Sequence, residues 1–278
     1  MKQLEGRTAV VIGGGGGIGR GISLGVATAG MKVVVADIEQ ASADRVAAEL
    51  VAAGGEATAA VVDATDRSSL ERLRDLAVET YGSVDLFSNN VGVITDRRLA
   101  EATEADWGWF LEFNIMSIVR GVDVFLPALR AQPDSHLVNT SSMAGLVALD
   151  PALTGGFHTG LYVTTKHALI GYSKMLRAEL APEGIGVSVL CPGLVQGNLS
   201  VTAARNRPSR FGGPDPSVTV QADNPFAKPN DEIGPMIVEG IRADRLYLFT
   251  HADDMVSGLL AGEHDRLMGD LGAAAASA

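Results

Sequence analysis

At 278 residues the chain is long enough for one large α/β domain or two small ones, and no stretch of it reads as a linker. Its 46% hydrophobic and 20% charged residues provide for a sizeable core, while a formal charge of -11 argues against nucleic acid or an anionic membrane as partner, since both need a positive surface. A single cysteine, Cys191, excludes an internal disulfide and a cysteine-based metal cluster, and a start without a basic-then-apolar segment predicts a cytoplasmic protein with no membrane span.

In chain order, short β-branched runs alternate with amphipathic stretches, the pattern of a parallel sheet covered by helices on both faces. The expected strands are 8–12 (TAVVI), 32–37 (KVVVAD), 57–62 (ATAAVV), 84–88 (VDLFS), 136–140 (HLVNT), 186–191 (GVSVLC) and 245–250 (RLYLFT). Helical patterns fall at about 18–29, 41–53, 67–80, 104–131 and 160–183. The fold class implied is a Rossmann-type, doubly wound, mostly parallel seven-stranded sheet forming one domain over 1–278. Residues 198–230, rich in Pro, Asn, Arg and Gly, break the rhythm and read as an irregular substrate flap. The tail GAAAASA reads as frayed. Trp107, Trp109, Phe110 and Phe113 read as helix packing, partly at a subunit interface, and no His or Asp spacing suggests a metal.

The first strand runs into GGGGGIGRG, which sets Gly13, Gly17 and Gly19 at the spacing G-x-x-x-G-x-G. Glycines there let a phosphate approach the amides at a helix N-terminus. Asp37 ends the second strand, where a carboxylate can take ribose hydroxyls and repel a 2′-phosphate; with no Arg or Lys in the following IEQASA, NAD (NADH) is favoured over NADP. S-adenosylmethionine enzymes share this pairing, so it does not name the cofactor alone.

Further motifs appear in order: VVDAT (61–65), SNNVG (88–92), Asn114 in WFLEFNIMSI, NTSSMAG (139–145), YVTTK (162–166) and CPGLV (191–195). From Arg7 to Val195 the chain resembles the short-chain dehydrogenases/reductases. The resemblance implies that Gly13, Gly17, Ile18 and Gly19 form the cofactor turn, that Asp63 and Ala64 flank the adenine, and that Asn90 lies against a ribose. It further implies that Val195 meets the nicotinamide carboxamide and that Asn114, Ser142, Tyr162 and Lys166 are the catalytic set, Tyr162 and Lys166 also touching cofactor. Four features depart from the family pattern: Ile12 in place of a threonine, Val91 in place of an alanine, Gln196-Gly197-Asn198 after PGLV, and a long connection from Ser142 to Tyr162 in which Thr154, Phe157 and His158 are candidate substrate contacts.

A tyrosine with a pKa of about 10 is a poor base near neutrality. A neighbouring ammonium, together with the positive end of an oxidised nicotinamide, favours tyrosinate, so Lys166 and the bound cofactor are expected to lower the Tyr162 value and let it exchange a proton with an alcohol. Ser142 would hydrogen-bond the substrate oxygen, and Asn114, through water, would link Lys166 to solvent. The resulting expectation is an NAD-dependent enzyme, a homo-oligomer (dimer or tetramer), interconverting a hydrophobic, aryl or cyclic secondary alcohol and its ketone. The alternatives are a catalytically inactive NAD(H)-binding sensor or scaffold of the same fold, and a methyltransferase, which has no use for YVTTK.

Overall fold

The first strand, Thr8–Ile12 (β1), is buried along its whole length, and its side chains divide by parity between the two faces of the sheet. Ala9 and Val11 of β1, with Val33 and Val35 of β2 (Lys32–Asp37), pack on α1 (Gly17–Thr28), α2 (Gln40–Ala52) and α8 (Gly234–Arg242). Val10, Ile12, Val34 and Ala36 face the other way, onto α3 (Arg67–Tyr81), α5 (Ser117–Arg130) and α6 (Gly160–Leu180). Strands covered on both sides have no solvent face to alternate toward, which is why they read as continuous apolar runs.

In the computed structural model, which describes residues 1–152, 154–218 and 227–276, the other strands are β3 (Ala57–Val61), β4 (Leu86–Asn89), β5 (His136–Thr140), β6 (Gly186–Cys191) and β7 (Tyr247–Phe249). The remaining helices are α4 (Glu104–Leu111), α7 (Leu199–Arg205) and α9 (Asp254–Ala276). Every strand pairing is parallel, in the order β3-β2-β1-β4-β5-β6-β7. The order reverses between β1 and β4, and a cleft outside the carboxyl ends of those strands is where doubly wound sheets take ligands. Among the described residues no helix is long and apolar enough to cross a membrane.

The expected continuous helix over 104–131 is interrupted. Between α4 and α5 the chain widens into a π turn, Glu112–Met116, centred on the buried Asn114. The expected flap 198–230 is also more regular than its composition suggests, containing α7 and a 3₁₀ turn, Ser209–Phe211. Its residues 219–226, and tail residues 277–278, lie outside the described residues. The tail expected to fray is helical through Ala276.

Candidate active site

The glycine turn opens α1 with two residues at positive φ, Gly13 at 71° and Gly17 at 48°, where a side chain would be strained. Side chains brace it from outside: Gly15 N–H donates to Asp37 Oδ2 at 3.0 Å, and Asn90 Nδ2 donates to the Gly13 carbonyl at 3.3 Å. Ile12, where the family pattern has a threonine, is buried in the core and offers the turn no hydroxyl. Whereas Asp66 caps α3 and Thr103 caps α4, Gly16 gives α1 no side-chain cap, and its first turn holds no acid. Its leading amides and positive dipole end therefore suit a phosphate.

Asp37 is partly buried at the tip of β2 and also accepts from Glu39 N–H at 3.1 Å. Burial pushes its carboxyl up, opposed by those backbone hydrogen bonds. The fold also brings in two arginines that the sequence gives no reason to place here. Arg45 on α2 donates to the Gly15 carbonyl at 2.5 Å, and Arg205 at the end of α7 pairs with Glu39 at 3.1 Å. Asp63 spends its carboxylate within its own turn, accepting from Thr65 N–H at 2.8 Å and Thr65 Oγ1 at 2.7 Å, beside a buried Ala64. Ile18 packs under the turn against the core on the β1 and β2 side. Val195 bridges to Lys228 just past β6, and a Cβ on the following Gly197 would fall 3.1 Å from Gly17 Cα. The Gln196-Gly197 backbone thus crosses directly over the glycine turn.

At the middle of the cleft, α6 carries both Tyr162 and Lys166, with Lys166 Nζ 5.4 Å from the Tyr162 ring centroid. Lys166 is buried, and its ammonium donates to the Thr140 carbonyl at the end of β5 at 2.9 Å. That uses one of three protons and leaves two for a ligand, which a dinucleotide ribose can accept. Ser142, just beyond β5, is near enough to the Tyr162 phenol to favour its ionised form, and its Oγ accepts from Ala144 N–H at 3.1 Å. The glycine three residues after this serine has a steric reason: a Cβ on Gly145 would fall 2.6 Å from the Lys166 carbonyl, so only glycine lets this turn seat on α6.

Asn114 completes the group by tying three segments together. Its Oδ1 accepts from Val93 N–H at 2.7 Å, and its Nδ2 donates to the Val93 carbonyl at 3.1 Å and to Thr165 Oγ1 at 2.9 Å. A Cβ on Gly92 would lie 3.3 Å from both Asn114 Oδ1 and Lys166 Nζ, so the amide and the ammonium flank that backbone. Thr165, the partner inside YVTTK, carries no sequence signal of this role. Of the candidate substrate contacts, Thr154 Oγ1 bonds the Pro151 and Phe157 carbonyls of its own loop, and His158 Nδ1 pairs with Asp96 at 3.1 Å.

Without a cofactor, burial dominates the electrostatics of this group. Burial pushes the Tyr162 phenol up to about 12, with the nearby Ser142 hydroxyl pulling the other way. Burial pushes Lys166 down to about 8, with Cys191 nearby opposing the shift. In the protein alone, removal from water therefore outweighs the attraction between ammonium and phenolate. A phenol able to give up its proton near neutrality needs further positive charge in the cleft.

A doubly wound sheet with an uncapped glycine turn, a strand-tip carboxylate and a Ser-Tyr-Lys group defines a nucleotide-dependent oxidoreductase architecture. Comparison with known proteins gives the family. The chain matches the short chain dehydrogenase model over residues 7–208, and it belongs to that family, whose members use a nicotinamide cofactor. It is 35% identical over 255 residues to 1-deoxy-11-beta-hydroxypentalenate dehydrogenase of Streptomyces exfoliatus, covering 90% of this chain and 85% of that one. A short chain dehydrogenase/reductase from Burkholderia phymatum, solved in complex with NAD, superposes with a TM-score of 0.82 at 29% identity, over 96% of this chain and 97% of that chain. A short chain dehydrogenase from Burkholderia cenocepacia J2315, solved with NADP, shares the fold with a TM-score of 0.71 at 24% identity, over 89% and 97%.

Proposed function

We propose that the protein is an NAD-dependent dehydrogenase or reductase that interconverts a hydrophobic secondary alcohol and its ketone. The observation that carries this reading is the convergence of Ser142, Tyr162, Lys166 and Asn114 at the carboxyl ends of β4 and β5, within reach of an uncapped glycine turn. NAD is favoured because Asp37, with Glu39 beside it, puts negative charge where a 2′-phosphate would stand. The apolar cluster that includes Trp109, Phe110, Leu161 and Tyr162 supports a hydrophobic substrate. We read the working assembly as a homo-oligomer, a point for sedimentation analysis.

Asp37 would hold the adenosine ribose, the first amides of α1 the pyrophosphate, Lys166 the nicotinamide ribose, and Val195 the carboxamide. When bound, the nicotinamide ring accepts or returns a hydride. Ser142 donates to the substrate oxygen and stabilises charge that grows on it. Tyr162 takes the alcohol proton at Oη in oxidation and gives it back in reduction; the cationic ring adds the positive charge needed to lower a phenol that burial alone holds near 12. Lys166 fixes the ribose and, with Asn114 beside Gly92, keeps the phenol's surroundings positive and ordered.

A second reading, an NAD(H)-binding protein without turnover, takes its support from the raised Tyr162 value. One assay separates the two: purified protein with NAD and a panel of hydrophobic secondary alcohols, followed at the NADH absorbance band. Substrate-dependent NADH formation that disappears in Tyr162→Phe supports the enzyme. NADH binding with no turnover across the panel favours the rival.

A further inference from the structure

The segment 199–211, which follows the Gln196-Gly197 crossing, is tied down at two points that the proposed chemistry does not use. On the substrate side, Arg207 Nη2 donates to Asp106 Oδ1 at 2.7 Å; the two side chains are only 15% and 3% exposed. The guanidinium also stacks 4.4 Å over the buried Trp109 ring. Asp106 is fixed independently, because its other oxygen accepts from Thr103 N–H at 3.0 Å and Thr103 Oγ1 at 2.8 Å in the capping box of α4. Burial works against its charge, but these hydrogen bonds and Arg207 hold its carboxyl below the usual range. Shortly after Arg207, Phe211 packs directly on α4: a Cβ on Gly108 would lie 3.0 Å from its ring. On the cofactor side, Arg205 pairs with Glu39 at 3.1 Å, and Glu39 N–H bonds the Asp37 carboxylate.

The strap therefore spans the cleft from the adenosine end to an apolar wall in which Trp109, Ala203 and Phe211 join Tyr162. We propose that Asp106 and Arg207 are positioning residues for substrate: their ion pair latches the strap to α4 and holds Ala203 and Phe211 in the wall beside Tyr162, setting the shape of the alcohol that is accepted. The substrate part of this assignment rests on the proposed dehydrogenase activity. A planar fork with a stacking face is required here, so lysine is only a partial substitute. Arg97 Nε, 3.7 Å from Asp106 Oδ2, stays beside that carboxylate when Arg207 is replaced.

Two measurements test it, one independent of turnover. Trypsin should cut after Arg205 and Arg210 about tenfold faster in Arg207→Met and in Asp106→Asn than in the wild type, because a released strap is open to protease. In steady-state assays with a bulky hydrophobic alcohol, either substitution should raise KM about tenfold, with kcat and NADH affinity within about threefold. The double variant should be no worse than the worse single, since both remove one interaction. Arg207→Lys should recover part of the loss. Unchanged trypsin cleavage overturns the latch. Unchanged KM, or losses that multiply in the double variant, overturn the positioning role. If the wild type turns over no alcohol with NAD, the dehydrogenase reading fails, while the protease comparison still decides the latch.

Discussion

Asp37→Asn tests the cofactor assignment by removing one charge while keeping the shape of the site. The asparagine can keep its oxygen on Gly15 N–H, now 3.0 Å from Asp37 Oδ2, so the glycine turn stays braced while the Glu39 N–H bond to Oδ1 is given up. What disappears is the negative charge facing the 2′ position. At roughly 4 Å, two unit charges repel by about 1 kcal/mol in water and about 4 kcal/mol at an effective dielectric constant of 20. For a partly buried carboxylate an intermediate value of about 2 kcal/mol is appropriate, equivalent to about thirtyfold in NADPH affinity. Losing a charge-assisted hydrogen bond to the ribose weakens NADH by about 1 kcal/mol, or about fivefold. Together these shift the NADH-to-NADPH preference by roughly a hundredfold. Arg45 at the Gly15 carbonyl and Arg205 at Glu39 supply positive charge for the added phosphate. Titration of both reduced cofactors, followed by their fluorescence, measures the ratio. A ratio within about threefold of wild type, or a wild type that already prefers NADPH, would refute the role given to this carboxylate.

Three further outcomes are expected. Tyr162→Phe should lower kcat by at least about a hundredfold while changing NADH affinity by no more than about fivefold, as the phenol is assigned chiefly to proton transfer, measured by turnover and cofactor titration. NADH affinity should fall as pH rises past about 8: burial lowers the folded Lys166 to that value, so the ammonium that serves the ribose is present below it and lost above it. Calorimetry at pH 7 to 9 reads the effect, and Lys166→Met should flatten it. Gly25→Ala should cost about 1–3 kcal/mol by overpacking, because the new Cβ would sit 2.6 Å from Gly234 Cα where α1 crosses α8; thermal unfolding reports the loss.

The sheet was legible because both its faces are covered, so each strand announced itself as an apolar run, and the expected limits of β1, β2, β5 and β6 coincide with those observed. The π turn was not legible, because its cause lies in long-range bonds from Asn114 to Val93 and Thr165. The helix α8 was missed although Pro235 in its first turn, followed by buried Ile237, Val238 and Ile241, is a readable start signal. In α9, glycines at 258, 262, 269 and 272 oppose helix propensity and masked the element. At the site, the residue types of YVTTK and the serine turn were visible in sequence, but the cost of burying them was not. Spacing puts an ammonium near a phenol, whereas the cost of taking both out of water depends on the packing around them.

Cys191 gives the molecule a built-in reporter. It is the chain's one cysteine, it has no exposed surface, and burial pushes its thiol up to about 12. A reagent such as Ellman's therefore meets a neutral, sheltered sulfur in intact molecules and a reactive one only in those that have opened around β6. The rate of colour release at rising urea concentration would count those openings without any label, and its slowing by added dinucleotide would register occupancy of the neighbouring cleft without any turnover.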